Sequence, residues 1–146
     1  MKPLPNDIFF AQVESEIADG KSVRFKVKGN SMFPLLRNEK DEVCLSPLTA
    51  SPKKMDIVLF RFKGKHILHR IIDVNGDTYI IQGDGIYMSS EYCGQQDIVG
   101  IVTSLYKVGW KPISTTSGWY KFLSVLWFKL RFCRRYLLAI LWRIYK

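Results

Sequence analysis

The sequence predicts a mostly-β fold with a short N-terminal helix and a C-terminal amphipathic helix. Short apolar or alternating runs recur along the chain, and turn-forming pairs such as Asn75 and Gly76 separate them, which is typical of antiparallel strands. After residue 119 the apolar side chains return with a helical period instead. We therefore divide the chain into an N-terminal helical segment (1–22), a β domain (23–111), and a linker followed by a basic helix (112–146).

Size and composition fit one globular domain. The chain has 146 residues, 47% of them hydrophobic, so it can bury a core. Its three cysteines form no C-x-x-C pair, and we expect neither a disulfide framework, nor a metal site, nor a cofactor. The N-terminus lacks the long apolar run of a signal peptide or an N-terminal anchor.

Local patterns predict each element in turn. We expect a helix over residues 6–18, capped by Asn6 and stopped by Gly20. Strands are expected at 23–28, 43–45, 56–62, 66–73, 78–82 and 97–106. Residues 86–96 are expected to be irregular, and the Ser/Thr-rich stretch 112–118 to be a linker.

Three polar residues stand where such a fold presents side chains for chemistry. Ser31 follows the first strand in a tight turn, His69 lies inside an apolar strand, and Asp84 lies between two glycines. Serine, histidine and aspartate are the components of an activated nucleophile. Each residue also has a structural alternative: a turn hydroxyl bonding its own backbone, a satisfied core histidine, and a turn aspartate bonding backbone amides.

The segments around these residues resemble the boxes of type I signal peptidases and their LexA-like relatives. Residues 29–34 (GNSMFP) look like the G-x-S-M-x-P box, and 56–58 (DIV) look like the G-D-I-V box, with Met55 where glycine is usual. Residues 68–72 (LHRII) look like the His-Arg form of the next box, 83–85 (GDG) resemble the G-D-N box, and 96–100 (QDIVG) resemble the closing strand. The resemblance covers residues 23 to about 102 and implies a coiled antiparallel β fold with serine endopeptidase activity.

The resemblance also implies a role for each residue of the boxes. Ser31 would be the nucleophile, His69 the general base, and Asp84 the group that orients His69. Related sequences of the histidine type often carry a second aspartate shortly after the first. This chain has none between Gly85 and residue 96, where Glu91 is the nearest acid.

Residues next to Ser31 would bind the substrate. The Ser31 amide, with the Asn30 side chain as a further candidate, would stabilise the oxyanion, whereas Gly29 replaces a serine that contributes a hydroxyl in some relatives. The peptide would lie as an added strand, with small residues before the cut. Its groove would be walled by Met32, Phe33 and Pro34, although the first two could equally belong to the core.

Other candidate bases are less suitable than His69. A lysine must be desolvated to lose its proton near neutral pH, and Lys54, Lys63 and Lys65 lie in turns or beside a proline, where we expect solvent. His66 lies three residues before His69 on the same strand, so it should face the opposite side, at the surface.

The tail from residue 119 to 146 is basic and amphipathic. It contains no acidic residue, and one side of the predicted helix gathers Leu123, Leu126, Leu130, Cys133, Leu137, Ile140, Leu141 and Ile144. The opposite side gathers Lys121, Lys129, Arg131, Arg135, Arg143 and Lys146. Charge-free runs are too short to span a bilayer. We expect a peripheral membrane contact, on the cytoplasmic face rather than outside. Docking on the β domain or on a second copy is the alternative, and the wide apolar face argues against nucleic acid.

Three functions fit these patterns. The first is a membrane-associated serine endopeptidase that cleaves signal or leader peptides after small residues. The second is a LexA-like domain that cleaves its own chain, although no helix-turn-helix precedes residue 23 and no obvious Ala-Gly site precedes Ser31. The third is a catalytically silent module that binds peptide or membrane. The oligomeric state is open.

Overall fold

The computed structural model describes residues 6–86, 89–130 and 133–145, and the chain is mostly antiparallel β. Helix α1 (Asn6–Ala18) comes first, at the predicted bounds. The strands are β1 (Val23–Lys26), β2 (Glu42–Ser46), β3 (Ile57–Phe62), β4 (Lys65–Asn75), β5 (Thr78–Gln82), β6 (Glu91–Gly94), β7 (Ile98–Tyr106) and β8 (Ile113–Ser114). Helices α2 (Gly118–Lys129) and α3 (Arg134–Tyr145) follow.

The strands form one sheet in the order β1-β2-β7-β3-β4-β5-β6, and β8 pairs with β7. Every pairing is antiparallel, and tight turns at Gly64 and Gly76 join β3 to β4 and β4 to β5. This confirms the predicted fold class. Strand β5 has the predicted bounds, whereas β1 ends two residues earlier than expected.

Three sequence predictions about elements were wrong. The stretch 86–96 is not wholly irregular, because β6 pairs with β5 there. The linker 112–118 contains β8, in which Ile113 pairs with Leu105. The C-terminal segment is two helices rather than one. Residues 131, 132 and 146, which carry two of the predicted tail charges, lie outside the described residues. No helix in the described part of the chain is long and apolar enough to cross a membrane.

Two hydrophobic clusters fill the interior. The first lies around α1, β1, β2 and β7 and includes Val13, Met32, Leu36, Val43, Leu105 and Tyr120. The second lies across β3 to β7 and includes Val58, Phe60, Ile71, Tyr79, Ile81 and Ile98. The loop that follows β1 contributes Met32 and Leu36 to the first cluster, whereas β4 contributes to both, with Leu68 packed against the first and Ile71 buried in the second.

A buried carboxylate holds the long loop between β1 and β2. Asp41 is 0% exposed and accepts hydrogen bonds from the backbone and guanidinium of Arg37 and from Lys107 Nζ at 2.9 Å. Burial alone would raise the pKa of the Asp41 carboxyl, but these donors lower it below its ordinary value. A charged Asp41 therefore ties the loop that carries Ser31 to the sheet near the end of β7.

Candidate active site

Ser31 lies in the loop that follows β1. The chain turns at Gly29, whose φ of +84° is in the left-handed region, and the Gly29 amide donates to Asn38 Oδ1 at 2.7 Å. The Phe33 amide then donates to the Asn30 carbonyl at 3.1 Å. This turn leaves Ser31 half-buried, and among the described residues its own amide donates no hydrogen bond.

His69 is a buried residue of β4, opposite Val58 of β3, and is 4% exposed. Its Nδ1 is hydrogen-bonded to Oε1 of Glu91, the first residue of β6. Nδ1 is therefore bonded to a carboxylate, while Nε2 has no hydrogen-bond partner among the described residues. This is the arrangement that fixes the tautomer of a general-base histidine, with its proton on Nδ1 and a free lone pair on Nε2.

Gly83 is the point where Ser31 and His69 come together. Gly83 follows β5 and lies beside His69, because Arg70 pairs with Gln82 in the antiparallel ladder. A Cβ built on Gly83 would lie 2.2 Å from the Ser31 carbonyl oxygen and 3.0 Å from His69 Nε2. Only a residue without a side chain fits between these two groups. The Nε2 end of His69 thus faces the Ser31 turn across a bare backbone.

The Ser31 hydroxyl and the His69 ring are not hydrogen-bonded to each other. No hydrogen bond joins the Ser31 hydroxyl to His69 within the described ranges. In unliganded active sites such bonds are often long and shorten when substrate binds. The Gly85 amide donates to the Ser31 carbonyl at 2.8 Å, so the serine turn is fastened to the loop that follows β5.

The environment of His69 favours its neutral form. Burial lowers the pKa of the imidazole. The nearby carboxylates of Glu91 and Asp84 raise it, but by less than burial lowers it, so the pKa of His69 lies below 6.5. A histidine that is neutral at pH 7 can accept a proton from a serine hydroxyl. The charge of Glu91 would then stabilise the imidazolium that results.

The predicted contact between Asp84 and His69 was wrong. Both Asp84 oxygens accept hydrogen bonds from the guanidinium of Arg70, at 2.9 Å each, and both residues are 3% exposed. Arg70 also donates to the Met55 carbonyl at 3.0 Å and to the Tyr120 hydroxyl at 3.3 Å. A bidentate guanidinium partner satisfies the carboxylate better than one imidazole does. Glu91 has the place at His69 that Asp84 was expected to have.

The C-terminal helices pack on the loop that follows β5. From α2, the Trp127 indole donates to the Asp84 carbonyl at 2.9 Å. From α3, the buried Arg134 guanidinium donates to Gln82 Oε1 and to the Ile86 carbonyl, each at 3.1 Å. The alternative of a tail docked on the β domain therefore holds for one face of these helices. The loop that completes the site depends on them for its position.

The residues after Ser31 divide between core and groove. Met32 is 1% exposed and its sulfur accepts from the Asp84 amide at 3.4 Å, so of its two predicted roles the core role holds and the groove role does not. Phe33 meets Trp142 edge to face at 5.1 Å between centroids, beside a groove of about 420 Å³ that Asn30 also lines. Pro34 lines a different, apolar cavity of about 370 Å³ beneath α2.

The other candidate bases are either exposed to solvent or bonded to another element. Lys54, Lys63 and Lys65 are exposed, as expected. His66 was expected at the surface but is half-buried: its Nε2 is hydrogen-bonded to Glu14 of α1 at 3.0 Å, and its ring stacks on Phe10 at 4.8 Å. Within residues 6–86, 89–130 and 133–145, no group of three or more His, Cys, Asp or Glu side chains could hold a metal ion.

Sequence reasoning missed the residues that complete the site from a distance. The sequence identifies Glu91 only as the nearest acid after Gly85, because nothing local marks a short edge strand that carries one carboxylate. Arg70 stands directly after His69, and strand alternation could have indicated that these two neighbours face opposite sides. The indole of Trp127 and the guanidinium of Arg134 had no signal beyond their position in an amphipathic tail.

Comparison with protein-family models and with curated protein sequences found no match for this chain.

Proposed function

We propose that this protein is a serine endopeptidase resembling type I signal peptidases, with Ser31 as nucleophile, His69 as general base and Glu91 as the acid behind it. One observation carries the proposal: the Ser31 turn and the Nε2 end of His69 meet at Gly83, while Glu91 holds the Nδ1 end. The structural alternative, a core histidine that only satisfies its hydrogen bonds, does not explain why the serine turn lies at the second ring nitrogen.

The reaction follows from these positions. His69 Nε2 takes the proton of the Ser31 hydroxyl as the oxygen attacks the peptide carbonyl, and it then gives that proton to the leaving amine. The backbone amide of Ser31, which donates no hydrogen bond to any described residue, is the donor best placed for the oxyanion. Water, activated by the same histidine, hydrolyses the acyl-enzyme and regenerates Ser31. Glu91 keeps the ring in one tautomer throughout.

Backbone geometry adds support to the resemblance on which this proposal draws. Met55 stands where the G-D-I-V box has glycine, and its φ of +83° is a conformation that favours glycine. The carbonyl of Met55 accepts from Arg70, next to His69. A preference for small residues before the cut is implied by the resemblance alone.

The test compares peptide cleavage by the wild type with cleavage by Ser31→Ala and His69→Ala. Each substitution should abolish cleavage while leaving the circular dichroism spectrum and the melting temperature close to those of the wild type. The matched control for the second variant is His66→Ala on the same strand, which should keep its cleavage rate. Cleavage at the wild-type rate in Ser31→Ala would contradict the proposal.

A rate that scales with substrate concentration separates the proposed activity from self-cleavage. An intermolecular endopeptidase cleaves added peptide, and the mass of its own chain stays constant during incubation. A self-cleaving domain shows the reverse, with fragments of its own chain appearing at a rate that does not depend on protein concentration.

We further propose that the outward faces of α2 and α3 hold the protein at an anionic membrane surface. Trp119, Phe122 and Leu126 share one face of α2 and are 60%, 60% and 44% exposed. On α3 the corresponding residues are Ile140 and Ile144, at 56% and 68%. Large exposed apolar side chains on helices without any acidic residue fit the boundary between lipid headgroups and acyl chains.

Co-sedimentation with lipid vesicles tests this contact. We expect binding to vesicles that contain phosphatidylglycerol and weak binding to pure phosphatidylcholine. The double variant Phe122→Ser/Ile144→Ser should lose the binding, whereas Tyr92→Ser, which removes an equally exposed aromatic from β6, should retain it. A stable dimer that the double variant Phe122→Ser/Ile144→Ser disrupts, with no vesicle binding by the wild type, would show that a second copy covers this face and would refute the membrane contact.

A further inference from the structure

Helix α3 presents three different faces. Arg134 and Leu141, at i and i+7, lie on the side that packs on the protein. Tyr136, Ile140 and Ile144, at i, i+4 and i+8, are exposed on the outward side. The third side belongs to neither the packed nor the outward set, and it consists of Arg135, Leu138, Ala139 and Trp142, at i, i+3, i+4 and i+7.

This third face lines the groove next to the nucleophile. The opposite wall of the groove is formed by Asn30 and Phe33, which flank Ser31 in the serine turn, and by Gly85. A Cβ at Gly85 would lie 2.5 Å from the Asn30 carbonyl, so the two loops that frame the site are pressed together here. The groove therefore begins at the residues adjacent to Ser31 and continues along α3.

The lining has a definite chemical character. Leu138, Ala139, Phe33 and Trp142 provide apolar surface, and Arg135 provides one positive charge. Arg135 makes no ion pair with any described residue, and no acidic side chain lines the groove. An extended peptide that places an aliphatic side chain against Trp142 and a carboxylate near Arg135 is complementary to this surface.

We infer that α3 is a wall of the peptide-binding groove and that Arg135 selects substrates with an acidic residue close to the cut. This inference rests on the proposed function, since it assigns the groove to the substrate of Ser31. Helix α3 would then have a second role besides packing on the site loop. Trp142 and Leu138 would contact substrate side chains, and Arg135 would pair with an acidic one.

The experiment measures peptide binding without cleavage. In the Ser31→Ala background, fluorescence anisotropy follows two labelled peptides with a small-x-small sequence, one with Asp and one with Lys at the same variable position. The Ser31→Ala protein should bind the Asp peptide more tightly than the Lys peptide. Adding Arg135→Glu should reverse the preference, with each Kd changing by about 5-fold, as one solvated ion pair gained or lost would produce.

Arg143→Glu is the matched control, because Arg143 is exposed on the same helix but does not line the groove. It carries the same change in net charge and should leave the preference intact. Trp142→Ala should weaken binding of both peptides. Equal effects of Arg135→Glu and Arg143→Glu would overturn the inference, and so would the absence of binding by either peptide.

Cleavage of the same two peptides by the wild type separates the two proposals. Binding with the expected charge preference but no cleavage would refute the peptidase and leave the groove assignment standing. Cleavage of both peptides at equal rates, with no dependence on Arg135, would refute the assignment of Arg135 and leave the peptidase standing.

Discussion

Two histidines with glutamate partners occur on one strand, and only one of them faces a serine. His69 bonds Glu91 at one nitrogen and approaches the Ser31 turn with the other. His66 bonds Glu14 and stacks on Phe10, which ties α1 to the sheet. The pair at His66 is therefore an internal control for the pair at His69.

Glu91→Gln should lower kcat by about 10²-fold or more, because an amide cannot stabilise the imidazolium that forms at His69. Glu14→Gln removes the equivalent carboxylate from His66 and should leave kcat unchanged. Steady-state kinetics on a cleaved peptide measure both variants. A wild-type kcat for Glu91→Gln would exclude Glu91 from the mechanism.

The pH dependence of cleavage should follow the titration of His69. Only the neutral imidazole can accept the serine proton, so kcat/KM rises as pH rises through the pKa of His69. Burial lowers that pKa, and the midpoint of the acid limb should lie below 6.5. Because Glu91 raises the pKa of His69, Glu91→Gln should move the midpoint to lower pH still. A midpoint above 6.5, or one that moves upward in the variant, would contradict this assignment.

Gly83→Ala tests the close approach at the centre of the site. The new Cβ would lie 2.2 Å from the Ser31 carbonyl oxygen, so the serine turn must shift away from His69. A displacement of about 1 Å can cost about 10²-fold in rate, and the overpacking about 1–3 kcal/mol in unfolding free energy. Gly118→Ala is the control, since a Cβ there meets nothing within 4 Å. Equal kinetics and stability for the two variants would show that Gly83 is not a close contact.

Ser31 and His69 were predicted as site residues because the segments around them resemble boxes of one family in the right order, although each residue alone also fits a structural role. Glu91 could not be assigned in this way, because its role depends on β6 pairing with β5 and so placing it beside β4. Asp84 was placed in the right loop but given the wrong partner. The Asp84 carboxylate is bound instead by Arg70, the residue after His69, whose guanidinium donates to both carboxylate oxygens.

At the scale of elements, the Arg70–Asp84 pair joins β4, the loop after β5 and α2. Asp84→Ala would leave a guanidinium uncompensated in the interior, and breaking a buried pair in this way costs about 3–5 kcal/mol. Urea denaturation measures the loss. Glu42→Gln removes a partner of the more exposed Arg24 instead, where about 0–1 kcal/mol is expected. Similar losses for the two variants would argue against a structural role for the buried pair.

The elements that sequence patterns predicted best are those with several helical turns, such as α1, or with clear turn signals on both sides, such as β5 between Gly76 and Gly83. Strand β6 was not predicted because an edge strand of four residues has too little periodicity to distinguish it from a loop. The apolar period of the tail continues through residue 130, and the sequence therefore predicts one helix where the structure has two. The chain breaks the helix there so that Trp127 and Arg134 can both reach the loop after β5.

At the scale of the whole molecule, the candidate site lies where the loop after β1 and the loop after β5 meet β4, and the C-terminal helices pack beside it. Both α2 and α3 pack one face on the site loop and expose apolar residues on another, and α3 alone lines the groove beside Ser31 with a third face. The proposed membrane contact and the proposed substrate groove would therefore share helix α3. The sequence indicated the outward face, but the groove face appears only when the helices are packed on the sheet.

Mass spectrometry of peptide digests tests the central claim most directly. Purified wild-type protein and Ser31→Ala would each be incubated, with phosphatidylglycerol vesicles, with a mixture of peptides containing small-x-small sites. We predict new fragments with the wild type only, and their ends would give the residues preferred on each side of the cut. Fragments from both proteins at equal rates, or from neither, would contradict the claim that Ser31 and His69 form a peptidase site.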